Sequence, residues 1–526
     1  MRSVAIAAAV IALGNIISRL LGLVREQVMA ALFGATAATD AFVAASTVPT
    51  IVYDLLVGGA ISAALVPVFV DASEDEEELW RLLSTVLTLA GLVLTGVAVV
   101  LGLGAPLLVD LLASGFSDEV RATAVPMVRV MLVAVVLQGL AGIVMAVLYA
   151  RRRVTLPAFA AAVYNGAVVI VALLFHQLLD VYALVLGVVV GAAGQLLLQL
   201  PGLGRWQFRL ALDLHRPELR TILRLYAPVA LGMVVTIVGI VIDRNLASQL
   251  AEGSLSVMNY ATRLIQFPLG LVGTAVSIAV LPLLTKHASD LAAAREAGTV
   301  NEEAASGYRD TLRFGARTVL LLMLPATVGL VVLREPLVQL LFERGRFGEL
   351  DTARTALVFL AYAPQLPFTA LDQLLIVAFY ARKDTRTPVA IGVVTVLLYL
   401  VSALALIGPL DVAGLALANA IQNSAHGLIL LALLERSGAR LLDRAFGFWT
   451  LRVLLASLGV GAALWGTAAL LLPPAAGTVA LAAVLGGLAA FAGGVYLLLL
   501  ELLRVRDGRE VLGILRSRVG GGRRRR

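Results

Sequence analysis

Two arginines lie inside the first long apolar segment of this chain, where a fixed positive charge is costly. Residues 4–33 form one apolar stretch that contains Arg19 and Arg25. A guanidinium stays protonated, and at bilayer depth it costs about 2.5–3.5 kcal/mol on insertion scales. Such a residue normally faces a hydrated cavity or an anionic partner, so we interpret the pair as groups that handle an anion. The alternative is structural salt bridges to nearby carboxylates, namely Glu26, Asp40 or Asp54.

A third arginine, Arg263, lies in a later apolar segment, 257–286. A guanidinium presents a planar fork that matches phosphate oxygens, so three of them can grip a diphosphate. Asp40, at the start of the second segment, is expected to orient an arginine or to cap its helix. Asp243, near the end of the seventh segment, is a candidate ligand for a coupling cation. Its alternative is an ion pair with Arg244.

The composition is that of a protein that crosses a membrane many times. Of the 526 residues, 60% are hydrophobic and 14% are charged, whereas soluble chains average about 25% charged. There is no cysteine, which excludes disulfides, zinc–thiolate sites and cysteine nucleophiles. Four histidines make no metal-ligand spacing, and no phosphate-binding glycine loop or nucleophile elbow is present. We therefore expect a transporter with no metal site, not an enzyme.

Fourteen segments are long and apolar enough to span a bilayer, which predicts an all-α fold. They lie near 4–33, 40–70, 80–113, 120–150, 155–177, 180–202, 222–250, 257–286, 312–342, 353–381, 387–408, 411–435, 448–472 and 477–503. We predict a lobe of six helices over 1–208, a second over 209–436, and a two-helix unit over 437–505. A basic tail follows at 506–526.

Basic residues collect in the loops after the even-numbered segments and in the tail, which places these on one side of the membrane. Examples are Arg151, Arg152, Arg153, Arg205, Arg209, Lys286, Arg382, Lys383, Arg436 and Arg444. The positive-inside rule therefore predicts that both termini are cytoplasmic. Topology and attraction to anionic lipid explain this charge, so we expect no nucleic-acid partner.

The chain repeats a short motif at corresponding segments. Tyr149-Ala150-Arg151 precedes Pro157 by the same spacing with which Tyr380-Ala381-Arg382 precedes Pro388. Six segments separate the two copies, and an even number keeps the orientation, so the repeat is parallel. Two such lobes predict alternating access, with a substrate site between them.

An ordered set of motifs resembles the MurJ/MviN family of lipid II flippases. The motifs are residues 18–26, 33–35, 39–42, 48–49, 260–264, 267–268, 281–282, 342–347 and 379–388. The resemblance implies the fourteen-helix MOP exporter fold, with the last two helices helping to form a groove for a lipid tail. It also implies central-cavity roles for four positions, Arg19, Arg25, Asp40 and Arg263.

This chain departs from the family pattern at two places. Tyr53-Asp54 stands where many members have an arginine pair, and Thr262 and Gln266 stand where some have acidic residues. The pattern of charge in the cavity therefore differs from that of other members. Some relatives place sodium at the residue matched by Asp243, but 387–408 here is poor in carboxylates.

These observations predict a monomeric plasma-membrane flippase that carries a polyprenyl-diphosphate lipid, lipid II, to the outer leaflet by alternating access. Sodium, protons or the membrane potential are the candidate driving forces, and membrane lipids are the other partners. One alternative is a flippase for another polyprenyl-linked saccharide. A cation-coupled multidrug exporter is disfavoured because its drugs would prefer an acidic cavity. An enzyme acting on prenyl diphosphates would need clustered carboxylates or histidines.

Overall fold

Helices make up the regular secondary structure throughout the described part of the chain, which contains no β-strand. The computed structural model describes residues 2–55, 64–205, 207–299, 301–439, 441–471 and 477–505. The predicted tail, 506–526, lies outside these residues. The first nine helices are α1 Arg2–Phe33, α2 Ala37–Tyr53, α3 Val66–Ala72, α4 Glu76–Leu103, α5 Ala105–Leu112, α6 Asp118–Ala150, α7 Thr155–Leu179, α8 Tyr182–Gln199 and α9 Pro217–Ser248. The others are α10 Ser254–Pro268, α11 Thr274–Glu296, α12 Glu302–Val332, α13 Arg334–Phe342, α14 Glu349–Tyr362, α15 Leu366–Ala381, α16 Arg386–Leu434, α17 Arg444–Leu471 and α18 Thr478–Leu502.

The helix bounds follow the predicted apolar segments, and the all-α fold is confirmed. A backbone in hydrocarbon must satisfy its own polar groups, which favours helix wherever the sequence is apolar for long enough. Nine helices of the described residues are long and apolar enough to cross a membrane. The total of fourteen crossings stays a prediction.

Several predicted segments are broken helices. A turn at Gly104 divides the third segment into α4 and α5, and a π-helix at Leu269–Gly273 joins α10 to α11 after Pro268. The long helix α16 contains one residue with non-helical dihedrals, Asp411. Its two arms, before and after Asp411, correspond to the predicted segments 387–408 and 411–435.

The internal repeat extends from the short motifs to the ends of the helices and the turns between them. Helix α6 begins at Asp118 and α14 begins at Glu349, an offset of 231 (349 minus 118). The same offset relates the starts of α7 and α16 and relates two left-handed residues that follow a helix, Asp180 (φ 46°) and Asp411 (φ 52°). Equivalent turns thus end equivalent helices in both halves.

An earlier part of the repeat has a shorter offset. Helices α1 and α9 each contain 32 residues and end at Phe33 and Ser248, an offset of 215 (248 minus 33). The two offsets differ by 16 (231 minus 215), and part of this extra length lies in α11, which continues to Glu296, whereas α3 ends at Ala72. The helix order therefore contains the repeat, while the parallel orientation of its two copies in the membrane stays a prediction.

The chain forms two compact units, which do not coincide with the predicted lobes. The first contains residues 1–259 and 342–351, and the second contains 260–341 and 352–526. In the first unit α6 packs against α2, α4 and α8, and α1 packs against α7. In the second unit α12 packs against α11, α15 and α17. The predicted lobe boundaries rest on the repeat, not on these contacts, and they stay a prediction.

Within the first unit, the segment 342–351 packs against the end of α1 and the turn that leads to α2. The backbone N–H of Arg346 donates to the Ala31 carbonyl at 2.9 Å. Gly345 has φ 58°, and a Cβ built on it would lie 2.2 Å from the same Ala31 oxygen. Both the left-handed dihedral and the close approach therefore require glycine at this position.

We expect Gly345→Ala to destabilise the folded protein by at least about 1–3 kcal/mol, because the added Cβ is both strained and too close to Ala31. The matched control is Gly348→Ala in the same loop, where a Cβ meets nothing within 4 Å. The measurement is the midpoint of thermal unfolding in detergent. Equal midpoints for the two variants would contradict this account.

Candidate functional site

Arg25 is held at the centre of a polar network between α1 and α7. Its Nη2 donates to the Glu26 carboxylate at 2.7 Å, and its Nη1 donates to Asn165 Oδ1 at 3.1 Å. The Glu26 side chain is 3% exposed and that of Arg25 is 24% exposed. The carboxylate therefore balances the charge of this arginine where little water reaches it, which is the salt bridge that the sequence offered as the alternative.

Asn165 orients this network from both sides. Its oxygen accepts from Arg25, and its Nδ2 donates to the Ser18 carbonyl at 3.3 Å. Glu26 uses its second oxygen to accept from Asn259 Nδ2 at 3.0 Å. The pair is therefore fixed by amides from α7 and α10, which limits how far the guanidinium can swing.

Arg25 retains donor capacity beyond these two bonds. A guanidinium has five N–H groups, and two of those of Arg25 have acceptors among the described residues. The remaining N–H groups can meet further oxygens, such as those of a phosphate. Arg25 is thus an oriented cation with unused donors.

Arg19 has a different environment on the same helix. It lies six residues before Arg25, about 120° around an ideal helix, and its side chain is exposed. Within the described part of the chain, Arg19 forms no hydrogen bond or ion pair. It therefore carries a full charge that no described carboxylate balances.

Asp40 caps a helix that is distant in sequence. Its carboxylate accepts from the N–H groups of Gly253 and Ser256, each at 2.8 Å, and from the Ser256 hydroxyl at 2.5 Å. These donors lie at the N-terminus of α10, where unpaired N–H groups and the helix dipole favour a negative charge. Asp40 is 4% exposed, so this carboxylate has been taken out of water to hold α10.

The cap is reciprocal. Glu252, just before α10, accepts from the N–H of Ala37 at the start of α2 at 2.8 Å. The first helix turn of α2 is also capped by Thr36, whose hydroxyl accepts from the Thr39 N–H. The sequence left two roles open for Asp40, to orient an arginine or to cap its own helix, whereas in the structure its oxygens accept from Gly253 and Ser256 at the start of α10. Direct contact of Asp40 with a substrate stays a prediction.

Arg263 belongs to the second compact unit and lies on α10. Its Nη1 donates to Gln266 Oε1 at 3.2 Å. Gln266 is one of the residues that depart from the family pattern, so this contact is with a neutral amide where some relatives have a carboxylate. The other departures, Thr262 and Tyr53-Asp54, lie on α10 and at the end of α2.

Asp243 lies near the end of α9, as the sequence predicted, and it is half-buried there. Its part in cation binding stays a prediction. Among the described residues, no three His, Asp or Glu side chains are grouped so that they could hold a metal ion. Sequence reasoning missed Asn165, although one signal was available. It is the only polar amide in the first twenty residues of the apolar helix α7.

The family is decided by comparison with known proteins. The family model described as "Lipid II flippase MurJ" matches residues 29–489. The chain belongs to the lipid II flippase MurJ family. A probable lipid II flippase MurJ of Haemophilus influenzae is 31% identical over 476 residues, covering 86% of this chain and 90% of that protein. A lipid II flippase MurJ of Burkholderia cenocepacia is 31% identical and covers 81% of this chain and 82% of its own.

Solved structures establish the same fold. A lipid II flippase MurJ in an inward closed conformation matches with a TM-score of 0.76 at 22% identity, covering 95% of this chain and 99% of that one. An inward-facing multidrug resistance MATE transporter of the MOP superfamily matches with a TM-score of 0.66 at 13% identity, covering 81% and 95%. The predicted MOP exporter fold is confirmed, and the family is one of transporters, not enzymes.

We expect Asp40→Asn to lower the stability of the fold by about 1–3 kcal/mol, because one N–H of α10 loses its acceptor and the charge at the helix N-terminus is removed. Asp54→Asn makes the same chemical change on an exposed residue and serves as the control. Thermal unfolding in detergent compares the two. An Asp40→Asn midpoint no lower than that of the control would refute the capping role.

Proposed function

We propose that this chain moves lipid II from the cytoplasmic to the outer leaflet of the bacterial plasma membrane. The observation that carries the proposal is the family match over residues 29–489, together with relatives that carry this name along most of their length. Polar and charged side chains at the depth of the apolar helices support it, because such residues are costly unless they serve a substrate pathway.

The proposed role of the arginines is to stabilise the diphosphate during its passage. Arg19, Arg25 and Arg263 would offer charge and paired donors to phosphate oxygens, while the polyprenyl tail stays in lipid. The Glu26 contact keeps Arg25 balanced and oriented before substrate arrives. Arg19 has no such balance among the described residues, so it is the cation with the most to gain from an anionic head group.

Alternating access by the two repeats would then expose the head group on the other side, and no covalent step is needed. We place both termini in the cytoplasm on the distribution of basic loops, with lobes over 1–208 and 209–436 and a tail-groove unit over 437–505. We further propose a monomer that is driven by an ion gradient or by the membrane potential. Asp243 is the candidate for a cation in that coupling.

The arginine mechanism is tested in cells depleted of their own lipid II flippase. We expect the unmutated chain to restore growth, and Arg19→Gln, Arg25→Gln and Arg263→Gln each to lower lipid II flipping at least about tenfold. This magnitude follows from losing one charge-assisted hydrogen bond, about 1.5–3 kcal/mol. Flipping is measured as lipid II that a membrane-impermeant reagent can reach at the outer surface.

Two controls make this experiment specific. Arg81→Gln removes an arginine of an exposed ion pair with Glu77 on α4 and should flip normally. Lysine at the three test positions keeps the positive charge but lacks the planar, paired donors of a guanidinium, so intermediate flipping is expected. Normal flipping by all three glutamine variants would reject the arginine mechanism. Failure of the unmutated chain, when it is present in the membrane, would reject lipid II as its substrate.

A further inference from the structure

A partly buried histidine in the second compact unit joins three helical segments through both of its ring nitrogens. His426, on the second arm of α16, has Nδ1 at 2.7 Å from Asp372 Oδ1 on α15. Its Nε2 lies 3.1 Å from the carbonyl oxygen of Pro388, in the first turn of the first arm of α16. The side chains of His426 and Asp372 are 13% and 15% exposed.

The two oxygens that face the His426 ring determine how many protons the site must hold. A carbonyl oxygen only accepts hydrogen bonds, and a carboxylate does the same, so each ring nitrogen must share a proton with the oxygen that faces it. Two protons are therefore needed for the two bonds, whether the first lies on the histidine or on Asp372. With one proton fewer, a nitrogen lone pair would face an oxygen lone pair, and the pair would carry a buried negative charge.

We propose that Asp372 and His426 form a proton-binding site, and that the bound proton fastens α15 to both arms of α16. The ligand of this site is the proton itself. Occupancy closes both hydrogen bonds, and loss of the proton opens one of them. The site lies near the side of the membrane on which we place the basic loops. Pro388 is two residues from the start of α16, and His426 is eight residues from its end.

The packing around the pair is built to keep the two helices close. A Cβ on Gly427 would lie 3.1 Å from the Phe368 carbonyl and 3.3 Å from Asp372 Cβ, so the neighbouring residue of His426 is pressed against α15. One turn earlier, Asn423 Nδ2 donates to Gln365, the residue just before α15. These contacts hold Asp372 within reach of the ring without adding another charge.

The charged groups nearby do not compete for this proton. The titratable side chains of α15 are Asp372 and Tyr380, and α16 has Arg386, Tyr399 and Asp411 besides His426. None of these three contacts the ring, for which the described residues supply Asp372 and the Pro388 carbonyl. The helices α11 and α12, which pack against α15, carry charged side chains toward the connection between them, at Lys286, His287, Asp290, Arg295, Glu296, Glu302, Glu303, Arg309, Asp310, Arg313 and Arg317. The Tyr308 hydroxyl on α12 donates to the Ala378 carbonyl of α15 and not to the pair.

The nearest loop carboxylate, Asp384, is already satisfied. It accepts from the N–H groups of Arg386 and Thr387 and from the Thr387 hydroxyl. Partial burial acts to raise the pKa of Asp384, but the hydrogen bonds from Thr387 and Arg386 outweigh it and hold that pKa below its ordinary value. Asp384 therefore stays ionised and leaves the proton to the pair.

The internal repeat shows that the fold does not require this pair. At the offset of 231, Pro388 corresponds to Pro157, but Asp372 corresponds to Ala141 and His426 to Gln195. The first repeat thus builds the same junction of three segments with a small apolar residue and an amide. The second repeat has added two titratable groups to a junction that packs without them, which points to proton binding as the purpose of the pair.

Proton binding is measured directly on the purified full-length chain, without any lipid substrate. The exchange of the imidazole C2 hydrogen, followed by mass spectrometry against pH, reports the proton affinity of each histidine. We expect His426 to hold its second proton more tightly than His215, which is exposed in a loop. Asp372→Asn should weaken proton binding at His426 at least tenfold and leave His215 unchanged.

Asp411→Asn is the matched control, since it removes the same charge from α16 at the far end of its arms, and asparagine tolerates the left-handed dihedral there. It should leave the titration of His426 unchanged. A His426 that titrates like His215 and ignores Asp372→Asn overturns the proposal. An equal effect of Asp411→Asn and Asp372→Asn overturns it as well, because the response would then be general.

Backbone hydrogen exchange measures whether the pair holds α15 and the two arms of α16 together. We expect His426→Gln to speed amide exchange in the first turns of α16, around Pro388, at least severalfold. The equivalent turns of α7, around Pro157, should not change and serve as the internal reference. Unchanged exchange around Pro388 in His426→Gln would overturn the fastening role.

A link between this site and transport rests on the proposed function. If the chain flips lipid II, flipping by the unmutated chain should vary with pH across the titration of His426, and Asp372→Asn should move or abolish that dependence. Because proton binding is measured without lipid II, its failure is distinguished from a failure of the flippase assay. A titrating pair with pH-independent flipping would confine the proton to a structural role and overturn the link.

Discussion

The structure depends on satisfying charge inside apolar helices. Each ionised group that leaves water must recover its hydrogen bonds from the protein, because the surrounding side chains and lipid offer none. Arg25 recovers them from Glu26 and Asn165, and Asp40 recovers them from the start of α10. These polar contacts join helices that are far apart in sequence, so the charged residues also hold α1, α2, α7 and α10 to one another.

The repeat provides a common backbone on which different polar residues have been placed. Matching helix ends and left-handed turns show that both halves use the same sequence of helices. The side chains inside them diverge. The first half uses Asn165 to orient an arginine, where the second half has Val396, and the second half uses Asp372 and His426, where the first has Ala141 and Gln195. The two halves therefore share a succession of helices but differ in the polar contacts made at equivalent positions.

The sequence predicted what depends on local pattern. Long apolar runs predicted the helices, and two copies of Tyr-Ala-Arg predicted the repeat. Contacts between segments that are distant in the sequence cannot be predicted from local pattern. Asp40 was expected to cap its own helix, yet its partners lie 213 and 216 residues away. Asp372 and His426 are 54 residues apart, and only the fold brings their side chains together. Glu26 was one of three carboxylates that the sequence offered as partners for the two arginines, and it is the one that contacts Arg25.

The single left-handed residue at Asp411 has a consequence for how the protein is made. A connection of one residue is too short for the two arms of α16 to enter the bilayer as independent events, so they must insert together as a helical hairpin. The strongly apolar first arm can then carry Asn419, Asn423 and His426 of the second arm into the membrane during synthesis. A longer connection would allow the two arms to insert separately, and the second arm, with its polar residues, would then have to enter the bilayer without the first.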